Sequence, residues 1–188
     1  MSTGYATQND LLLQNLLRWY KEEGRLDKIL NIINGEGKIS LRIIDWFVTN
    51  YAKKNYTVLD IRYGENNERL RRFKVYIDYK LKLKAYSKKR FDPFCRWERI
   101  NIPYNEDSYI QTTIGQLNFF KWAIENEIIS HIEKNYDTIE RDMNSRNSTA
   151  KRKEGGDKNK TRKKREELSV SAIKSIKKET VEIVVKFD

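Results

Sequence analysis

A single cysteine, Cys95, and a single histidine, His131, stand in a chain of 188 residues. One cysteine rules out an intramolecular disulfide and a thiolate zinc site, and one histidine removes His-based triads and most zinc hydrolase sites. There are two prolines, and no apolar run approaches the ~18 residues that a membrane-spanning helix needs. The N-terminus has no basic n-region, and Gln14 and Asn15 interrupt its leucines, so no signal peptide is expected. Without secretion the sequons at Asn55 and Asn147 stay unglycosylated, and the expected setting is intracellular, with no membrane partner. No motif for a known chemistry stands out, and no cofactor is expected.

What is abundant is charge. Charged residues make up 35% of the chain and sum to +11, while 38% hydrophobic and 12% aromatic residues supply a globular core. The charge is segmental. Residues 1–50 carry six basic and six acidic side chains, and residues 51–100 carry fifteen and six. Residues 101–144 carry three and eight, and residues 145–168 carry ten and four. Two basic blocks thus flank an acidic one. Localised charge of one sign points to a surface directed at a polyanion or an acidic partner.

Periodicity predicts an α+β chain. Residues 9–23 read as a helix with Asn9 as N-cap and Gly24 as its stop. Ser40 caps a second helix, over which Leu41, Ile44, Phe47, Val48 and Tyr51 share a face. The region 9–54 is therefore an N-terminal helical unit. The period then changes to two. In residues 73–86 the odd positions are Phe73, Val75, Ile77, Tyr79, Leu81, Leu83 and Ala85, which predicts a half-buried strand. Residues 56–63 are its natural partner, giving a small antiparallel β-sheet as a hairpin over 56–86. Thr113 opens a long helical region to residue 143, as one helix or as two abutting near Asn126. These elements make one domain over residues 1–144. Residues 145–167 hold nothing apolar larger than Ala150 and read as a disordered basic linker. Residues 168–188 end in a renewed alternation, Val181, Ile183, Val185 and Phe187, expected to be a C-terminal strand returning to the sheet.

The leading candidate site is the polar face of the 73–86 strand, with Lys74, Tyr76, Lys80, Lys82, Lys84 and Tyr86. Arg69, Arg71 and Arg72 precede it, and Lys88, Lys89 and Arg90 follow. Lysines on one strand face meet successive phosphates, and aromatic rings stack unpaired bases, so the expected partner is nucleic acid, DNA or RNA. The same pattern also describes a solvated face or a protected edge strand. Lys151, Arg152 and Lys153 with Arg162, Lys163, Lys164 and Arg165 add a second basic region, suited to a flexible phosphate clamp or a bipartite nuclear-import signal. An assembly protein whose basic surface meets an acidic protein is the alternative. A weaker one is a metal-dependent nuclease built on Asp60, Asp78 and Lys80 across paired strands. Cys95 reads as buried rather than reactive, His131 as a boundary residue, and Trp19, Trp46 and Trp122 as core.

Three stretches, SLRIIDWFVTNYAKK (40–54), KKRFDPFCRWERI (88–100) and TIGQLNFFKWAIEN (113–126), resemble a protein of uncharacterised function from giant amoeba-infecting viruses and related nucleocytoplasmic large DNA viruses. The tail LSVSAIKSI (168–176) is similar too, and the Asn-, Lys- and Ile-rich composition suits an AT-rich genome. The resemblance carries no catalytic residues. It implies a viral protein of the virion or the infected cytoplasm, where basic proteins accompany the genome.

Overall fold

A computed structural model describes residues 7–22, 24–64, 68–105, 108–154 and 178–180. Helix α1 (Gln8–Tyr20) is capped by Thr7, two residues before the expected Asn9, and ends at Tyr20, short of the expected stop at Gly24. The Thr7 hydroxyl accepts the Asp10 N–H at 3.2 Å and the Asp10 carboxylate accepts the Thr7 N–H at 2.8 Å, a reciprocal capping box. Gly24, at φ 73°, turns the chain into α2 (Arg25–Ile33). Ser40 caps α3 (Leu41–Trp46), which passes through a π-helical turn (Phe47–Tyr51) into α4 (Ala52–Lys54). At the widened turn the Thr49 hydroxyl donates to the Asp45 carbonyl at 2.6 Å, a contact that competes with the helical ladder.

Strands β1 (Val58–Tyr63) and β2 (Arg69–Lys74) pair antiparallel, from Val58 opposite Lys74 to Tyr63 opposite Arg69. The expected strand over 73–86 is not there. The chain leaves the hairpin at Lys74 and continues as helix α5 (Val75–Arg90), with a non-helical break at Ser87 (φ 58°). The alternating sequence satisfies a helix as well, because Val75, Tyr79, Leu83 and Tyr86 recur every three or four residues. That stripe packs beside α6, with Val75 and Tyr79 buried and Leu83 and Tyr86 half-buried. Packing against a long apolar helix outweighs the two-residue period. Its remainder is visible at Ile77 and Leu81, which stay exposed.

Strands β3 (Ile100–Asn105) and β4 (Ser108–Thr112) form a second hairpin that periodicity did not show. Pro103 is tolerated because β3 is an edge strand of the order β3-β4-β5. Strand β5 (Lys178–Thr180) runs antiparallel to β4, so the returning C-terminal strand joins this sheet and not the β1-β2 hairpin. The expected alternation at 181–187 lies outside the described residues. Thr113 caps α6 (Ile114–Glu125) as expected. The helical region beyond is three helices rather than one or two. Glu127, at φ 53°, separates α6 from α7 (Ile128–Lys134), and Asn135 separates α7 from α8 (Tyr136–Glu154). Because α8 runs to Glu154, the linker expected from residue 145 does not begin there, and residues 155–167 lie outside the described part.

The core centres on α6, whose Leu117, Phe119, Phe120, Trp122 and Ala123 are all buried. Gly115 lets its N-terminus close onto the C-terminal end of α5, where an added Cβ would meet the Lys89 carbonyl at 2.9 Å. Asp92 is buried and holds Arg96 through two 2.9 Å contacts. Cys95 is buried as expected, and burial pushes its thiol pKa up.

His131 packs against the Phe47 ring at 5.4 Å. Burial, helped by the Lys134 charge, lowers its pKa below the ordinary 6.5. A depressed folded-state value means the unfolded chain takes up this proton first. The stabilisation is therefore complete above pH 6.5 and is lost as pH falls through the folded value. Since no other histidine titrates in this range, His131→Gln is expected to flatten the denaturation midpoint between pH 7 and 5. A parent-like slope in that variant would assign the pH dependence to other groups.

Candidate nucleic-acid interface

Ten cations and one carboxylate, Asp78, lie between residues 69 and 90. Strand β2 divides four of the cations between two faces. Arg72 and Lys74 lie opposite Asp60 and Val58 on the outer face, and Arg69 and Arg71 lie opposite Tyr63 and Ile61 on the other. Among these ten, only Arg69 makes an ion pair with a described residue, a 4.0 Å contact to Glu68. Arg71 donates to the Asn126 side-chain oxygen at 2.5 Å, and Arg90 donates to Gln8 at 3.3 Å.

On α5 the lysines do not share one side as a strand would arrange them. A helix turns about 100° per residue, so a step of two nearly reverses direction and a step of four nearly restores it. Lys80 and Lys84 are accordingly exposed on one face with Ile77 and Leu81, while Lys82 is half-buried on another. The two exposed lysines flank a shallow groove of about 500 Å³ whose floor includes Tyr76 and Leu83. Lys53 lies 5.7 Å from the centre of the Tyr76 ring and extends the basic rim onto α4. Tyr86 is not a solvent-facing stacking platform, because its ring stacks on Phe91 at 6.3 Å. Lys88 and Lys89 follow the Ser87 break and are exposed, with Lys89 5.9 Å from the Trp97 ring centre.

The second basic region is placed in part. Lys151, Arg152 and Lys153 lie on the last turn of α8, and Arg162, Lys163, Lys164 and Arg165 lie outside the described residues. The carboxylates weighed for a nuclease do not sit on paired strands. Asp60 is on β1 opposite Arg72, whereas Asp78 is on α5 and accepts the Trp122 indole N–H at 2.6 Å. Among the described residues no three His, Cys, Asp or Glu side chains gather as metal ligands. No helix among them is long and apolar enough to cross a membrane.

Sequence reasoning did not find the cleft on the other side of α5. It has a volume of about 490 Å³ and lies between α1, β2, α5 and α6. Its polar side chains come from segments far apart in the chain. Arg71, Asp78, Lys82 and Tyr86 were singled out in the sequence, but as parts of a strand face and of a nuclease site rather than of one cleft.

An α+β protein with a cation-rich hairpin-to-helix arm is the class that this geometry defines. The chain belongs to a family of unknown function, DUF7197, whose pattern matches residues 5–188. It is similar to the uncharacterised protein L507 of Acanthamoeba polyphaga mimivirus, with 45% identity over 131 residues, 67% of this chain and 49% of that protein. The chain thus spans about half the length of this curated relative, and the giant-virus resemblance read from the sequence holds. No solved structure matches the chain.

Proposed function

We propose that this chain binds nucleic acid without catalysing a reaction on it, through the outer surface of β2 and α5. The observation that carries this reading is that residues 69–90 hold ten cations and one carboxylate, Asp78, and that only Arg69 of the ten makes an ion pair with a described residue. A merely solvated surface has no need of so one-sided a charge. Phosphates neutralise such cations with release of counterions, whatever the base sequence. Lys53, Lys80 and Lys84 around the Tyr76 groove give backbone contacts beside a ring. The giant-virus kinship fits a protein accompanying a genome, in the particle or in the infected cytoplasm.

One observation favours a second reading. Ile77 and Leu81 are 48% and 60% exposed beside Lys80 and Lys84. Phosphates give apolar side chains nothing to pack on, whereas an acidic protein segment with apolar anchors would cover both. Ile77→Ser with Leu81→Ser separates the two. Under the nucleic-acid reading the double variant keeps its affinity for a labelled oligonucleotide within about twofold, measured by fluorescence anisotropy. Absence of oligonucleotide binding by the parent at low salt would favour the acidic protein partner.

A further inference from the structure

The cleft between α1, β2, α5 and α6 joins two kinds of polar group that the described residues leave incompletely used. The first is cationic. Lys82 is half-buried on the cleft wall and pairs with no described carboxylate, and Arg71 donates to the Asn126 amide and lies 5.4 Å from the Phe73 ring centre but makes no ion pair with a described carboxylate. The third cation, Lys121, is engaged by Glu125 at 3.5 Å.

The second kind consists of acceptors held in place. Asn118 is 7% exposed and its side-chain N–H₂ donates to the Arg90 carbonyl at 2.8 Å. Its carbonyl oxygen has no partner among the described residues. A buried acceptor of that kind is costly unless something donates to it. Asp78 is fixed in the same way, because one carboxylate oxygen accepts from Trp122 at 2.6 Å and the other is left over. Two cations and two oriented acceptors in one space of about 490 Å³ fit a ligand with an anionic end and N–H donors at the other.

We infer that this cleft is a nucleotide site. Arg71 and Lys82 take the phosphate, and Asn118 and Asp78 accept from the amino or imino N–H groups of the base. The nucleotide is either free or the 5′-phosphorylated end of a strand. The site lies on a different face of α5 from the Ile77–Lys80–Lys84 surface, so it goes beyond the proposed nucleic-acid binding and does not depend on it. A groove-face variant leaves the cleft intact, and a cleft variant leaves the groove intact.

The test is a titration of the full chain with AMP, GMP, CMP and UMP, with adenosine and inorganic phosphate as controls. It is followed by NMR of the four tryptophan indole N–H signals, the Trp122 signal being assigned with Trp122→Phe. The Trp122 signal should shift with at least one of the four nucleotides, and adenosine should bind at least tenfold more weakly than AMP. Lys82→Gln should weaken the nucleotide at least tenfold, Lys82→Arg should restore it, and the thermal midpoint should stay unchanged in both. Competition by a 5′-phosphorylated tetranucleotide would assign the strand end, and its failure would assign the free nucleotide. A Trp122 signal unmoved by all four nucleotides at millimolar concentration, or a Lys82→Gln affinity equal to the parent, would overturn the site.

Discussion

Replacing Arg72, Lys74, Lys80 and Lys84 together with glutamine is expected to lower the slope of log K against log salt for duplex DNA by about 3.6 units. The four side chains are exposed, and none makes a hydrogen bond or an ion pair with a described residue. Removing them therefore leaves no buried partner unsatisfied, and the thermal midpoint should move little. If each meets one phosphate, each contributes about 0.9 units to the slope, and affinity at low salt falls by orders of magnitude. Lys82 is left in place because it faces the cleft, and it is the internal control. Had the lysines stood on a strand, Lys82→Gln would cost as much slope as Lys80→Gln. On the helix it should cost little. The readout is anisotropy of a labelled duplex without 5′-phosphates at four or more salt concentrations, and a quadruple variant with the parent slope would exclude this surface.

Phe91→Ala is expected to cost about 3–5 kcal/mol of unfolding free energy, the range for emptying a large aromatic site in a packed core. Phe91 is 2% exposed and has the Phe119, Trp122, Tyr79 and Tyr86 rings at 5.3, 5.4, 6.0 and 6.3 Å. It is the residue through which α5 and α6 share one aromatic cluster. Tyr79 in that cluster has its hydroxyl pKa pushed up to about 12, chiefly by burial. Urea denaturation should give a lower midpoint with an unchanged m-value. A loss below about 1 kcal/mol would mean that α5 is not held to α6 in this way.

How the sequence succeeded and failed follows from the range of the forces involved. Ser40 and Thr113 were legible as helix starts because a cap is a contact with a backbone N–H three residues on. The β1 strand was legible from its own residues. Residues 73–86 were not, since Phe73, Val75, Ile77 and Tyr79 alternate over a stretch that also places Val75, Tyr79, Leu83 and Tyr86 on one helical stripe. The choice between the two periods is made by Trp122 and Phe91, which local pattern cannot see. The same non-local dependence hid the cleft. Arg71 and Asn126 are 55 residues apart, and Asp78 and Trp122 are 44 apart, so no spacing rule brings them together. The cationic character of residues 69–90 survives the change from strand to helix, because it depends on composition. Its geometry does not: Lys80 and Lys84 stay together, Lys82 leaves them, and Tyr86 turns to the core.

The claim that the outer β2–α5 surface meets nucleic acid is tested most directly by photo-crosslinking the intact chain to a single-stranded oligonucleotide carrying a photoreactive base, with the attached residues identified by mass spectrometry. Cross-links within residues 53–90, centred on Tyr76 and its neighbours and suppressed by added salt, are the predicted result. Cross-links confined to residues 151–165, with 53–90 unmarked, would contradict it and would leave the exposed face of α5 to a protein partner.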